Sequence, residues 1–421
     1  MMSDVIFHID VNSAYLSWTS AHMLESGETL DLRAIPSIIG GDEKSRRGIV
    51  LAKSVPAKAF GIVTGEPVAA ALKKCPMLTI APPDHTLYAQ YSRRLMELLH
   101  TYTSDIEKLS VDECFLYYTP VAHRFPSCME AAHTIKDRIR EELGFTVNIG
   151  IAPNKLLAKM ASDFQKPDRV HTLWKDEIPQ KMWPLPVGEL YMVGHASASR
   201  LNGFGIHTIG ELAAADPEFL TTHFKSHGRQ MWEFANGIDN RLVTANPHEA
   251  KGIGNSTTLK KDAVTAEEAK KVLLTLAISV SGRLREAGQL AGSICVELKY
   301  HTFETVSHQT TLLTPTSTTG VLHQCACQLF DEVWNGGPIR LLGIRTTKLV
   351  PEDTPTQMSI FDFQVSPQSS GEIQAPASSV NPEKQKKLDA ALDHIRKRFG
   401  DKAVTRGSLL IPPSETNEDE S

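Results

Sequence analysis

The sequence feature that most constrains the fold is a pair of adjacent acids, Asp112 and Glu113, inside the run DIEKLSVDECFLYY. In a regular strand, adjacent side chains point to opposite faces, so a buried strand would carry one carboxylate into the core unless a turn or a cation intervened. An uncompensated buried charge costs several kcal/mol. The run therefore predicts either a hairpin with two solvated acids or a polar site that holds both.

A third acid, Asp10, ends the apolar run VIFHIDV, which is typical of a buried central strand. A helix is expected to begin in the residues that follow, NSAY. Carboxylate oxygens are the ligands that Mg²⁺ and Mn²⁺ prefer, and two such ions about 3.5–4 Å apart can clamp the reacting oxygens of a phosphoryl transfer. Together, Asp10, Asp112 and Glu113 favour such a site over solvated surface acids.

The rest of the first half predicts an α+β sheet layered with helices. Apolar residues recur at helical spacing from Ala132 to Leu143, and FTVNIGIA is typical of a strand. Asn154 is expected to cap the next helix, which carries Lys155 and Lys159 four residues apart. Like charges at this spacing repel near a helix N-terminus, so the pair predicts a nearby anion.

The second half predicts a helical region followed by a separate small α/β domain. Residues 188–240 contain short helices with glycines at their joints, and Asp216 is a cap followed by Pro217. Further on, TAEE at 265–268 is a capping box, and GSICVELKY alternates as a strand does. The four residues expected on one face of that strand are Ile294, Val296, Leu298 and Tyr300.

Charge and composition narrow the functional classes. The net charge is −5, but residues 251–350 hold eleven Lys/Arg against eight Asp/Glu, whereas residues 351–421 hold eight against twelve. No apolar run approaches the roughly 18 residues of a membrane span, and no signal peptide is evident, so we expect a cytoplasmic protein. The six cysteines form no CxxC pair, which argues against a disulfide framework or a zinc site.

Four segments, HIDVNSAY, KSVPAKAFGI, SVDE and GIAPNKLLAKMASDFQKP, together resemble the Y-family translesion DNA polymerases, which include bacterial polymerases IV and V. The resemblance covers about residues 4–350. It implies a right-hand polymerase with a ferredoxin-like palm, small fingers, a helical thumb with a helix-hairpin-helix, and an α/β little finger. The expected boundaries are 1–12 and 81–172 for the palm, 13–80 for the fingers, 173–245 for the thumb, 251–350 for the little finger and 351–421 for a linker.

The same resemblance assigns the metal site. Asp10 and Asp112 would bridge two Mg²⁺ ions, with Mn²⁺ also possible. Glu113 would bind the catalytic ion, and the carbonyl of Val11 the nucleotide-bound one. The primer 3′-oxygen would then attack the α-phosphate of a dNTP in line.

The resemblance also assigns nucleotide contacts. Tyr15 would lie beneath the sugar as a steric gate against ribonucleotides, and Lys58 and Lys159 would contact the triphosphate. The alternatives are a core tyrosine and solvated lysines. One position departs from the family pattern, because Val55 stands where a tyrosine is common, which puts this half of the nucleotide site in doubt.

Several segments resemble binding modules. The glycines of VGH and GFGI resemble a helix-hairpin-helix that receives a DNA phosphate. The peptide QMSIFDF at 357–363 resembles a sliding-clamp ligand, with Gln357 in a polar pocket and Ile360 and Phe361 in an apolar one; the alternative is a segment that folds back on its own protein. The helix expected at 383–399 is charged and predicts only a solvated surface.

The resulting functional hypothesis is error-prone, template-directed DNA synthesis across damaged DNA without proofreading. Its partners would be primer–template DNA, dNTPs and the sliding clamp, and the protein would be a monomer without membrane attachment. Two alternatives are a non-catalytic DNA-binding or scaffolding member of the same family and, more remotely, a nucleotidyl cyclase.

Overall fold

In a computed structural model of the protein, the described residues are 4–41, 48–245, 250–353, 382–400, 403–404 and 407. The chain divides into two compact units, residues 1–248 and residues 249–421. Each unit combines sheet and helix, which confirms the predicted α+β class. Within the described segments, no helix is both long and apolar enough to cross a membrane.

The first unit contains three- to six-residue strands and helices of four to sixteen residues. Its strands are β1 Ile6–Val11, β2 Ser37–Gly40, β3 Val50–Lys53, β4 Thr79–Ala81, β5 Ile106–Lys108, β6 Glu113–Tyr117, β7 Val147–Ala152 and β8 Val170–Thr172. Its helices are α1 Ala14–Glu25, α2 Val55–Ala59, α3 Val68–Lys74, α4 His85–His100, α5 Cys128–Leu143, α6 Lys155–Asp163, α7 Ile178–Lys181, α8 His195–Gly203, α9 Ile209–Ala214, α10 Pro217–Phe224 and α11 Ser226–Ala235.

The central sheet of this unit has the strand order β5-β6-β1-β7-β8. Its middle strand β1 is antiparallel to both β6 and β7, while β8 joins β7 in parallel. Strand β7 is buried along its whole length, and β1 is buried except at Asp10, as expected for strands covered on both faces. Asp10 therefore interrupts the apolar core at the end of the central strand.

Helix α6 packs closely on β7 at Gly150. A Cβ atom at this position would lie 2.0 Å from the carbonyl oxygen of Ala158, so a larger residue would push the helix away. The helix begins as expected, because the side chain of Asn154 accepts a hydrogen bond from the backbone N–H of Leu157. This packing fixes the two lysines of α6, Lys155 and Lys159, beside the central sheet.

Two smaller groups of elements complete the first unit. Strands β3, β2 and β4 form a three-stranded sheet with its own core around Ile38, Val50 and Val68. Helices α7–α11 follow, and Asp216 caps α10 with Pro217 at its first position, as predicted. The finer division into palm, fingers and thumb stays a prediction.

The second unit is a four-stranded antiparallel sheet with helices on one face. Its elements are β9 Gly252–Ala263, α12 Ala266–Glu286, β10 Gln289–Tyr300, β11 Thr305–Thr316, α13 Thr319–Val333, β12 Ile339–Pro351 and α14 Pro382–Phe399. The strand order is β11-β10-β12-β9. The capping box at Thr265 and Glu268 is present, as predicted.

One face of this sheet packs against α12 and α13. The four residues predicted to share a face of β10 all belong to this core, which confirms the predicted alternation: Ile294, Val296, Leu298 and Tyr300. The charged segment at 383–399 is helical, as predicted, and forms α14. The segment 357–363 lies outside the described residues.

Candidate active site

The acids of the site meet across the pairing of β1 and β6. Asp10 near the end of β1 lies directly opposite Glu113 at the start of β6. The backbone N–H of Val11 donates to the carbonyl oxygen of Asp112 at 3.0 Å, which continues this pairing by one residue. All three predicted acids therefore lie at the same end of the central sheet.

The run that contains Asp112 and Glu113 is a hairpin rather than one strand. Strand β5 ends at Lys108 and β6 begins at Glu113, and the residues between them form bends. Because Asp112 precedes the strand, alternation does not separate it from Glu113. The Oγ of Ser110 donates to Oδ1 of Asp112 at 2.5 Å, and both acids are half-buried rather than solvated.

Glu113 is held as a carboxylate by two neighbours. Burial alone would raise its pKa, but hydrogen bonds from His8 and Lys159 lower it to about 2. The Nε2 atom of His8 lies 3.2 Å from Oε2 of Glu113, and Nζ of Lys159 forms an ion pair with the same oxygen. Lys159, predicted to bind a triphosphate, thus neutralises a site carboxylate in this structure.

The pKa of Asp10 is set by a different balance between burial and neighbouring charge. Burial raises the pKa of its carboxyl, and the ammonium of Lys166, which contacts Oδ2, opposes this rise. Lys166 also pairs with Asp163 at 2.8 Å and is more than one-third exposed. Lys166 was not predicted as a site residue, because nothing in its sequence position connects it with a strand 156 residues away.

His8 is the second residue that sequence analysis missed. It is fully buried on β1, and its Nδ1 lies 2.8 Å from Oγ of Ser162. Burial lowers its pKa, which favours a neutral ring, and a neutral ring that faces the Glu113 carboxylate donates to it from Nε2. Strand alternation gives the clue, because residues 8 and 10 share a face.

Tyr15 lies near the acids, in the first turn of α1. Its ring stacks on that of Tyr88 with centroids 4.3 Å apart and planes 12° apart, and the ring of His85 meets its edge. Burial raises the pKa of Tyr15, and the negative charge of Asp112 raises it further. The half-buried ring is therefore held by aromatic contacts next to one of the site acids.

The residues predicted on the other side of the nucleotide are more open. Lys58 is exposed on α2, and Val55 at the start of this helix is 62% exposed. No hydrogen bond or ion pair joins Lys58 to Asp10, Asp112 or Glu113 in the described part of the chain. Lys53 on β3, which was not predicted, lies near Lys58; burial and then this neighbour lower its pKa.

The anions that the lysines of α6 were expected to face are side chains of the protein. Nζ of Lys155 lies 2.6 and 2.7 Å from the two carboxylate oxygens of Glu107 on β5, and both side chains are buried. The backbone N–H of Thr244 also donates to Glu107 at 2.9 Å. One helix thus neutralises two carboxylates of the central sheet, Glu107 through Lys155 and Glu113 through Lys159.

The site suits divalent cations by the chemistry of its donors. Asp10 and Glu113 each draw a lysine ammonium into direct contact, which shows that the acids attract positive charge. Within the described ranges, no three His, Cys, Asp or Glu side chains already converge as a metal cage. Asp10, Asp112 and Glu113, with the Val11 carbonyl, supply only hard oxygen donors, which fit Mg²⁺ or Mn²⁺ better than zinc.

Comparison with known proteins identifies the family. Residues 9–163 match the family described as impB/mucB/samB, and residues 250–360 match its C-terminal domain. A protein of Clostridium acetobutylicum named DNA polymerase IV is 47% identical over 97% of this chain and 99% of its own length. Another of Bacillus subtilis, named DNA polymerase IV 1, is 36% identical over 97% and 94% of the two chains.

A solved structure of a Y-family DNA polymerase chimera of Dbh and Dpo4 has the same fold. It superposes with a TM-score of 0.71 at 20% sequence identity and covers 82% of this chain and 99% of its own. At this identity the likeness concerns the fold alone, whereas the two curated relatives extend over nearly the whole chain. The chain therefore belongs to the impB/mucB/samB family, that of the Y-family translesion DNA polymerases.

Proposed function

We propose that the protein synthesises DNA on a template, including damaged templates, by adding dNMP to a primer 3′-hydroxyl without proofreading. The observation that carries this proposal is the placement of Asp10, Asp112 and Glu113 at one end of the central sheet. Family membership implies use of a divalent metal. A non-catalytic family member is not favoured, because all three acids are in place.

Within this proposal, Asp10, Asp112, Glu113 and the carbonyl of Val11 hold two Mg²⁺ ions, for which Mn²⁺ can substitute. When bound, such ions would lower the pKa of the primer 3′-hydroxyl and stabilise the charge that develops on the phosphates. The low pKa of Glu113 keeps it an acceptor at neutral pH, which is the state a metal ligand requires.

The proposed contacts to the nucleotide depend on which negative charges the lysines of the site neutralise. Lys159 now neutralises Glu113, so a divalent ion bound to Glu113 would release its ammonium toward the triphosphate. Lys58, with its neighbour Lys53, would bind the other side of the triphosphate. Tyr15, fixed against Tyr88, would exclude the 2′-hydroxyl of a ribonucleotide.

Two surfaces would bind the DNA backbone. One is the N-terminus of α8, where Gly194 forms no side-chain cap and leaves the first amides available for a phosphate. The other is the face of the second unit's sheet opposite its helices. There a groove of about 640 Å³ is lined by Lys251, Arg345 and the glycines 252, 254 and 343, which let a phosphate approach the main chain.

The proposal includes three further properties that stand on the sequence. The protein acts as a cytoplasmic monomer, and its peptide 357–363 docks on the sliding clamp through Gln357, Ile360 and Phe361. The apolar residues of this peptide lie in an otherwise polar segment, which supports a docking role.

Extension of a primed template with each dNTP and Mg²⁺, on undamaged and lesion-containing templates, tests the central claim. We expect incorporation by the wild type on both templates and a loss of at least about 1,000-fold in Asp112→Ala, because removal of a transition-state contact of this kind costs several kcal/mol. No incorporation by the wild type would refute the proposal. Conversion of a nucleoside triphosphate without primer or template would favour a nucleotidyl cyclase instead.

A further inference from the structure

Helix α14 docks on the second unit through its acids. Nε of Arg285 on α12 donates to Oδ2 of Asp393 at 2.6 Å, and its Nη1 lies 3.6 Å from Asp389. Asp389 is buried and its Oδ2 accepts from the backbone N–H of Thr319 at 2.9 Å, at the N-terminus of α13. Both acids in the body of the helix thus face its own domain.

Four cations of α14 lie on its exposed surface. Lys384, Lys387, Lys397 and Arg398 are all exposed. At 3.6 residues per turn, Lys384, Lys387 and Arg398 lie within about 60° of one another around the helix and Lys397 lies at the edge of this face, and the four residues span about 21 Å at the usual rise per residue. The side of the helix that faces the domain carries both acids together with Arg396, whereas these four cations are exposed to solvent.

These cations are weakly neutralised. Lys384 and Lys387 form no ion pair within the described segments, and Nζ of Lys397 lies 4.0 Å from Glu286 with both side chains more than 70% exposed. Exposed pairs at such distances contribute little. Between α12 and α14 lies a cleft of about 860 Å³, which is lined by Arg283 and Arg396 together with the acids Glu286 and Asp393.

We propose that α14 is a second DNA-binding surface, which holds the phosphate backbone through Lys384, Lys387, Lys397 and Arg398. It lies against α12, on the helix-bearing side of the sheet, so it is separate from the groove of Lys251 and Arg345. The inference takes from the proposed function only that DNA is the substrate.

Duplex DNA suits these four cations better than a protein partner does. Exposed, solvated cations match a polyanion, and each phosphate contact releases counterions without reading sequence. The large apolar side chains exposed on the described part of α14 are Leu388 and Phe399, eleven residues apart, which is too little for the apolar centre of a protein interface.

The test uses the full chain and a fluorescent primer–template duplex, with affinity followed by anisotropy from about 50 to 200 mM salt. In one variant Lys384, Lys387, Lys397 and Arg398 are all changed to Gln. We expect its Kd at the lower salt to rise about 10- to 100-fold, and its plot of log affinity against log salt to flatten by about 2 to 4. Thermal unfolding confirms that the variant is folded.

Two controls make the result specific. In the first control, the three lysines are changed to Arg and Arg398 is changed to Lys. This variant keeps all four positive charges, so its DNA affinity and its salt slope should equal those of the wild type. Changing Lys270 and Lys271 to Gln removes two ion-paired cations from the start of α12, where they pair with Asp331 and Glu267, and should leave the slope within about 0.5 of the wild type.

Unchanged affinity and slope in the Gln variant would overturn the inference, and so would an equal loss per charge in the α12 control. The readout is DNA binding rather than synthesis. A protein that binds DNA through α14 but extends no primer would refute the proposed function and leave this inference standing.

Discussion

At the scale of single residues, the site is a set of carboxylates whose negative charges are neutralised by other side chains of the protein. Lys166 contacts Asp10, while His8 and Lys159 contact Glu113. The two carboxyl groups nevertheless differ, because burial raises the pKa of Asp10 whereas hydrogen bonds lower that of Glu113 to about 2. The side chains that neutralise these acids are therefore part of the site, because they set the protonation state of each carboxyl group.

The first prediction concerns Tyr15 as a steric gate. Replacing it with Ala should raise the efficiency of ribonucleotide incorporation relative to deoxynucleotides by about 100-fold, because the ring that would collide with the 2′-hydroxyl is gone. Single-nucleotide incorporation with matched rNTP and dNTP measures the ratio. Tyr15→Phe keeps the ring and the stacking on Tyr88, so it should keep the discrimination. Rejection of ribonucleotides by the Ala variant would rule out the assignment.

The second prediction concerns His8 as a positioning residue for Glu113. His8→Leu removes the N–H that donates to the carboxylate and should lower the incorporation rate about 10- to 100-fold, with a higher Mg²⁺ concentration needed for half-maximal rate. His8→Gln can still donate a hydrogen bond and should recover most of both. Titration of Mn²⁺ binding by electron paramagnetic resonance provides a readout without turnover. Equal defects in the two variants would contradict the positioning role.

At the scale of elements, α6 links the site to the segment that follows α11. Its lysines reach Glu107 and Glu113, and the backbone N–H of Leu156 in its first turn donates to Asp239 at 3.0 Å. Thr244 in the same segment donates to Glu107. This nine-residue helix therefore contacts both Glu113 and the segment that ends the first unit.

The third prediction concerns the buried ion pair of this helix. Glu107→Gln should lower the free energy of unfolding by about 3–5 kcal/mol at pH 7, because it leaves the Lys155 ammonium buried without a counter-charge. Urea unfolding followed by tryptophan fluorescence measures the change, since four of the five tryptophans lie in residues 1–248. The exposed pair of Arg138 and Glu142 is the control, and Glu142→Gln should cost less than about 1 kcal/mol.

The difference in unfolding free energy between the wild type and Glu107→Gln depends on pH through the pKa of Glu107. Burial raises it, but the hydrogen bonds from Lys155 and Thr244 lower it below the ordinary value of 4.5. A carboxyl whose folded pKa is lowered stabilises the protein above its unfolded pKa and loses this contribution as the pH falls through the folded value. The gap between wild type and Glu107→Gln should therefore be constant from pH 7 to about 5.5 and shrink below pH 4.5. A gap that widens in acid would contradict the assignment.

At the scale of the whole molecule, the chain divides into two compact units with separate hydrophobic cores, and the segment 351–421 adds acidic charge after a basic domain. Asp10, Asp112 and Glu113 belong to the first unit, whereas α14 and the groove with Arg345 belong to the second. The proposed catalytic site and the two DNA-binding surfaces proposed for the second unit therefore lie in different units, so individual substitutions can test them separately.

The fourth prediction concerns the sliding clamp. Changing Gln357, Ile360 and Phe361 to Ala should reduce clamp-stimulated synthesis at least about tenfold, because the loss of anchor side chains typically costs more than 1 kcal/mol each. Synthesis without the clamp should be unaffected. Primer extension with and without loaded clamp measures both values, and an equal loss in the two conditions would refute the docking role.

The sequence alone predicted the α+β class, the caps at Asn154, Asp216 and Thr265, and the buried face of β10, all of which the structure confirms. These features are local, because capping and strand alternation depend on residues a few positions apart. The four motifs also led to the correct family. The catalytic roles and the clamp peptide stay predictions.

Tertiary structure decided which charges meet. Sequence spacing put Lys155 and Lys159 beside an unspecified anion, but only the packing of α6 on β7 at Gly150 directs them to Glu107 and Glu113. Lys166 approaches Asp10 across 156 residues, a separation over which no local pattern carries information. The acids were visible in the sequence because a carboxylate in an apolar strand needs compensation, whereas the compensating residues follow only from the fold.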